Sequence, residues 1–118
     1  ENPFMLDKMM KAIGADVKMW SYKTDCCGGS LAISKTAIVV EMCDRLMNAA
    51  READANCVVT ACPLCMANLD MRTSEGKKLP IFYFTELISL AMGLPGSKDT
   101  FKSHIFDPRP LLTQLGLI

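Results

Sequence analysis

Two groups of cysteines carry the chemistry open to this chain. One is the adjacent pair Cys26-Cys27, followed by Gly28-Gly29; the other is the Cys-x-x-Cys of Cys62-Pro63-Leu64-Cys65. Thiolates are the preferred ligands of zinc and of iron–sulfur clusters. Neighbouring cysteines rarely bridge each other, because a sound disulfide needs a particular Cα separation and dihedral. Gly28 and Gly29 have no side chains, so the backbone can approach a bulky centre and aim N–H groups at it. Pro63 suits the first turn of a helix, on which Cys62 and Cys65 stand three apart and share a face. Each half alone is a modest signal, since a Cys-x-x-Cys also serves redox dithiols and half zinc sites. Together they specify a metal or metal-cluster site.

The remaining residues of chemical interest have plainer readings. Cys43, in an apolar helix, and Cys57, at the start of a buried run, are expected in the core, where free cysteine commonly lies. The nine methionines read as packing. His104 is the sole histidine, expected at the surface or in a local hydrogen bond. Lys23 and Lys35 flank the first cysteine pair and could favour its thiolates, with solvated charge as the default reading. Asn68, one turn beyond Cys65, faces either the site or solvent.

These cysteines must be positioned by the elements around them. Asn2-Pro3 reads as the cap and first turn of a helix lined by Leu6, Met9, Met10 and Ile13 and stopped by Gly14. Val17 to Lys23 reads as a strand running into Cys26-Cys27. A long helix is expected from about Leu31 to Arg51, with Ile38, Met42 and Leu46 on its apolar stripe. Cys57 to Ala61 is a short apolar run suited to a buried strand, Thr73 to Lys78 a polar turn, and Pro80 to Phe84 a third strand. That strand feeds a helix from Glu86 to Met92, stopped by Gly93. Asp107-Pro108 reads as the cap and first turn of a last helix ending near Gly116. Strands alternating with helices imply parallel pairing, so the expected fold is a small three-layer α/β domain with a short, mainly parallel sheet flanked by helices. Both cysteine groups then fall at carboxyl ends of strands, along the sheet edge where ligand sites form, and beside helix N-termini that favour thiolate.

Composition narrows the function classes. The 118 residues are half hydrophobic and 22% charged, with formal net charge +0. That balance is globular, gives no basic footprint for nucleic acid, and contains no apolar run of the roughly 20 residues a membrane span needs. Six cysteines could make three disulfides in a secreted chain, but the apolar content suffices for a core and Glu1-Asn2-Pro3 does not read as a signal peptide. A cytoplasmic metal-binding domain is expected.

The string Lys23-Thr24-Asp25-Cys26-Cys27-Gly28-Gly29-Ser30-Leu31, with Val58 to Cys65, Asn68-Leu69-Asp70, Tyr83 to Leu87 and the Asp107-Pro108 tail, resembles the CCG cysteine-rich domain family. The likeness is closest to the C-terminal domain of the heterodisulfide reductase B subunit, and it extends to components of lactate, glycolate, succinate and fumarate redox systems. The resemblance implies a non-cubane 4Fe–4S cluster that reduces a disulfide. Its ligands would be Cys26, Cys27, Cys62 and Cys65, with Gly28 and Gly29 cradling it. It further implies a C-like iron–sulfur partner, an A-like flavoprotein partner, a small thiol or disulfide substrate, and a cytoplasmic location or one beside a membrane-bound partner. The family motif also has a leading cysteine upstream of the pair, and no cysteine precedes Cys26 here. Residues 1–118 therefore read as one CCG domain without its leading cysteine and first strand. Such a piece is expected to be inactive alone, its four remaining sulfurs suited to zinc, to a cubane cluster or to no metal. A zinc-stabilised module that docks subunits is the alternative function.

Overall fold

The structure, a computed structural model, describes residues 3–118. Among these, five helices lie along the chain: α1 Met5–Ala12, α2 Thr36–Glu52, α3 Pro63–Arg72, α4 Phe84–Ala91 and α5 Arg109–Gln114. Two short strands, β1 Val58–Thr60 and β2 Ile81–Tyr83, pair in parallel with Val58 opposite Ile81 and Thr60 opposite Tyr83. A parallel pair cannot be closed by a tight hairpin. α3 makes the crossover, so the residues that leave β1 pass directly into Cys62 and Pro63.

Successive residues of a strand point to opposite faces of the sheet, and β2 shows the consequence. Ile81 joins a core of Cys27, Val39, Cys43, Leu46, Met47 and Leu69, so α2 and α3 cover one face. Phe82 joins Phe101 and Leu112, with Leu87 and Leu90 of α4 beside them, so α4, the 3-10 turn Thr100–Ser103 and α5 cover the other. The Phe82 and Phe101 rings meet edge to face at 5.8 Å, an arrangement their quadrupoles favour. Full burial of each such side chain stabilises the fold by about 1.5–3 kcal/mol. The result is a small α/β domain, with helices on both faces of a short parallel sheet.

Several local expectations are corrected. Val17 to Lys23 forms no strand; residues 21–24 are a turn, with Asp25 N–H donating to the Tyr22 carbonyl. Trp20 and Tyr22 pack against the first core instead. Their side chains suit a strand, but among the described residues the one sheet is the β1–β2 pair, and no backbone pairs with this segment. α1 begins at Met5 with Phe4 as its cap, so Pro3 is not its first residue; the expected cap Asn2 lies outside the described residues. α2 begins at Thr36, later than expected, because Gly28 is left-handed and the chain first spends a 3-10 turn at Gly29–Leu31. Its buried stripe is Val39, Cys43, Leu46, Met47 and Ala50; Leu46 lies where expected, but Val39 and Cys43 take the places expected of Ile38, which is exposed, and of Met42, which is only partly buried. At the last helix, Pro108 is the cap and Arg109 the first residue. Asp107 nevertheless caps from one position earlier, its Oδ1 accepting the Arg109 N–H at 2.9 Å.

Candidate functional site

The Cys26-Cys27 segment is held by close packing of its two glycines. Gly28 has φ +78° and lies against α2: a Cβ there would meet Met42 Sδ at 2.8 Å. A side chain would also be strained by the left-handed backbone. A Cβ on Gly29 would meet Leu64 Cγ, in the first turn of α3, at 2.9 Å. The two glycines thus let one loop touch both helices. That contact brings sulfurs from distant parts of the sequence together: Cys27 Sγ lies 3.3 Å from Cys65 Sγ.

The four cysteines are not equivalent. Cys27 is buried, at 2% exposure, and Cys65 is half-buried, whereas Cys26 and Cys62 are exposed. All are free thiols. The Gly28 N–H donates to Cys26 Sγ at 3.3 Å. Cys62 is the cap residue of α3, with extended backbone, and forms no capping hydrogen bond of full geometry. Even so, the Cys65 N–H, then the Cys65 thiol and the Leu64 N–H, hold its pKa below the ordinary thiol value. Cys65 is pushed up to about 12, first by burial and then by the neighbouring Cys27 and Cys62 sulfurs. Sulfurs this close repel one another as thiolates, and a bound cation removes that penalty.

A second layer stands behind Cys27. Asn68 is buried at 4% exposure, and its Nδ2 donates to the Cys27 carbonyl at 2.9 Å and approaches Cys43 Sγ at 3.4 Å. The Cys43 thiol is directed at the Cys27 carbonyl at 3.7 Å. Asn68 Oδ1 is buried with no hydrogen-bond partner among the described residues. The Asn68 side chain therefore faces the site, a choice its sequence position left open. Cys43 and Cys57 lie where core cysteines were expected, fully and partly buried, and burial pushes each to about 11. Cys43 nonetheless touches the backbone that carries Cys27, which its sequence position gave no means to see.

The donors suit a cysteine-bound centre in kind, being four free thiols from two loops with glycine backbone beside them. A single tetrahedral ion needs four donors each about 2.3 Å from one point. Among the described residues no three His, Cys, Asp or Glu side chains converge on such a point. A cluster spreads its ligands over several metal atoms and makes no such demand.

The other residues of interest lie away from the sulfurs or are engaged elsewhere. Lys23 pairs with Asp7 of α1 and sits 5.4 Å above the Phe4 ring; Lys35 is exposed at the cap of α2. His104 is no surface residue: its ring is fully buried, with Nε2 2.9 Å from Glu86 Oε1. A groove of about 430 Å³ runs along α2 beside Tyr22, Glu41, Asp44, Arg45 and Lys77, and none of the four cysteines lines it. Among the described residues no helix is long and apolar enough to cross a membrane.

Comparison with known proteins gives the family. The model of the CCG family, a cysteine-rich domain, matches residues 1–70, which include all four cysteines. The chain is 28% identical over 117 residues to the membrane anchor subunit of the 8-methylmenaquinol:fumarate reductase of Wolinella succinogenes, covering 93% of this chain and 41% of that protein. It is 28% identical over 102 residues to the B subunit of the ferredoxin/F(420)H(2)-dependent CoB-CoM heterodisulfide reductase of Methanosarcina acetivorans, covering 79% and 34%. To a protein of Archaeoglobus profundus described as like the heterodisulfide reductase B subunit it is 30% identical over 108 residues, covering 82% and 36%. The chain thus spans between about a third and two fifths of the length of the curated relatives it matches. It belongs to the CCG cysteine-rich domain family, and its relatives are subunits of oxidoreductases.

Proposed function

We propose that this member of the CCG family is the cluster-binding domain of a heterodisulfide reductase-like oxidoreductase, with Cys26, Cys27, Cys62 and Cys65 holding a non-cubane 4Fe–4S centre. The observation that carries this reading is the approach of Cys27 Sγ and Cys65 Sγ to 3.3 Å from two loops far apart in sequence. When bound, such a centre supplies single electrons to a disulfide. The chain does the rest. Cys27 and Cys65 grip from the buried side, while Cys26 and Cys62, both exposed, form the side open to substrate. Gly28 N–H steadies the Cys26 sulfur, and Asn68 fixes the Cys27 peptide. The substrate is a small disulfide, in a methanogen the mixed disulfide of coenzymes M and B. Iron–sulfur and flavoprotein subunits are the partners, and the chain on its own is inactive.

The name of the Wolinella relative, an anchor subunit of a menaquinol-linked reductase, favours a second reading in which the domain only relays electrons to a partner. Reconstitution of the full-length protein with iron and sulfide, followed by electron paramagnetic resonance, tests both. The cluster reading expects a signal that disulfide addition changes; the relay reading expects a signal indifferent to disulfide. Zinc without iron in natively purified protein, and no cluster signal after reconstitution, would leave a docking module in their place.

A further inference from the structure

We propose that, without metal, Cys27 and Cys65 close a disulfide and that Cys62 is the exposed sulfur through which this cross-link is made and reopened. The inference rests on the same convergence of sulfurs as the cluster reading, but not on iron. Its motive is the order of the thiols in space. Cys65 is the middle member: its sulfur is 3.3 Å from Cys27 Sγ, and it stands three residues, about one turn, along α3 from Cys62, the cap residue of that helix, a spacing that puts the two on one face. Bonding distance for two sulfurs is about 2.05 Å, so Cys27 and Cys65 need to approach by only a little over an ångström. Their backbones are already held. The Cys27 peptide is tied to Asn68 and Cys43, and Cys65 lies within α3. Cys27, at 2% exposure, is inaccessible to a bulky oxidant, whereas Cys62 is open to one.

The chemistry closes with a small disulfide as the oxidant. Cys62 thiolate attacks that disulfide, forming a mixed disulfide and releasing one thiol. Cys65 attacks Cys62 Sγ, releasing the second thiol and leaving a Cys62–Cys65 bond. Cys27 then attacks Cys65 Sγ, and Cys62 departs as thiolate. The net reaction converts two protein thiols and one small disulfide into the Cys27–Cys65 cross-link and two small thiols. Run in reverse with excess small thiol, the same steps reopen it through Cys62. The buried cross-link occupies two of the four sulfurs, so the oxidised chain takes up no cluster until a thiol opens it.

The test uses the metal-free full chain, reduced, then exposed to oxidised glutathione as the probe disulfide, alkylated, digested and mapped by tandem mass spectrometry. The expected product joins Cys27 to Cys65, in the unsubstituted chain and in Cys26→Ser alike. In Cys62→Ser it forms at least tenfold more slowly. A dominant Cys62–Cys65, Cys26–Cys62 or Cys27–Cys43 bond, or four thiols still open to alkylation, overturns the pairing; an undiminished rate in Cys62→Ser overturns the entry route. Mapping of the unsubstituted chain decides the pairing even where a variant fails to fold. Iron loading of the reduced protein is read separately, so a failed cross-link and a failed cluster remain distinct results.

Discussion

α3 has two working faces, and they are built by opposite rules. On one, Cys65 and Asn68 meet the Cys27 segment. On the other, Asp70, two residues and about 200° further round the helix, accepts the Ile105 N–H at 2.7 Å and the Phe106 N–H at 2.9 Å. Close by, Glu86 accepts the Tyr83 N–H at 2.9 Å and binds His104. Every oxygen of these two carboxylates has a partner, and among the described residues His104 Nδ1 is the one polar atom of this group left over. The cysteine face has one strong bond, from Asn68 Nδ2 to the Cys27 carbonyl; its other contacts are weak thiol ones, and its buried Asn68 Oδ1 has no partner among the described residues. The lesson is a division of labour. The carboxylate face satisfies its polar groups and holds the C-terminal third in place. The sulfur face keeps four free thiols and an amide oxygen without a partner among the described residues.

That contrast can be broken at several points. The largest effect on stability is expected from Asp70→Ala, which strands two backbone donors and should cost about 3 kcal/mol in a urea titration. Iron uptake by the folded fraction should be unchanged; a loss as deep as that caused by a cysteine substitution would mean that the two faces are one unit. Asn68→Leu should do the reverse. It removes the bond to the Cys27 carbonyl together with the unpartnered oxygen, so unfolding should move little, while iron affinity in competition with a chelator falls about 10–100-fold, the usual cost of losing a group that orients a metal ligand. Gly28→Ala adds left-handed strain and crowds Met42 and should cost about 1–2 kcal/mol, with iron uptake reduced as well.

The smallest expected effect is on pH dependence. Burial works against charge on His104, but its hydrogen bond to Glu86 and the Glu86 charge outweigh it, so its pKa lies above the ordinary 6.5. Burial likewise raises Glu86, but its hydrogen bonds to the His104 ring and from the Tyr83 N–H outweigh it, so its pKa lies below 4.5. The histidine contribution is complete below pH 6.5 and is lost as pH rises through the folded value. The glutamate contribution is complete above pH 4.5 and is lost as pH falls through its own. The pair therefore stabilises most between pH 4.5 and 6.5, and His104→Gln should remove about 1 kcal/mol there and flatten the alkaline side of the stability profile. An unaltered profile would show that the pair carries no net weight.

What could be read from the chain was local chemistry. The two strands stood out as short apolar runs between breakers, and Pro63 marked the start of α3 directly after Cys62. Three features were hidden for physical reasons. Residues 17–23 have side chains suited to a strand, but pairing depends on a neighbouring backbone, which no local pattern encodes. α2 carries two adjacent apolar rows, one through Val39 and Cys43 and one through Ile38 and Met42, and only packing selects between them. Asp70 and His104 find their partners 35 and 18 residues away, so nothing near them in sequence announces a buried carboxylate or a buried ring.

The central claim is that sulfurs from both loops share one inorganic centre. Its most direct measurement is the iron and acid-labile sulfide content of anaerobically purified protein, compared among Cys27→Ser, Cys65→Ser and Cys57→Ser. The account expects both inorganic components in the unsubstituted protein and in Cys57→Ser, and their loss in the other two. Equal retention in all three variants would contradict it.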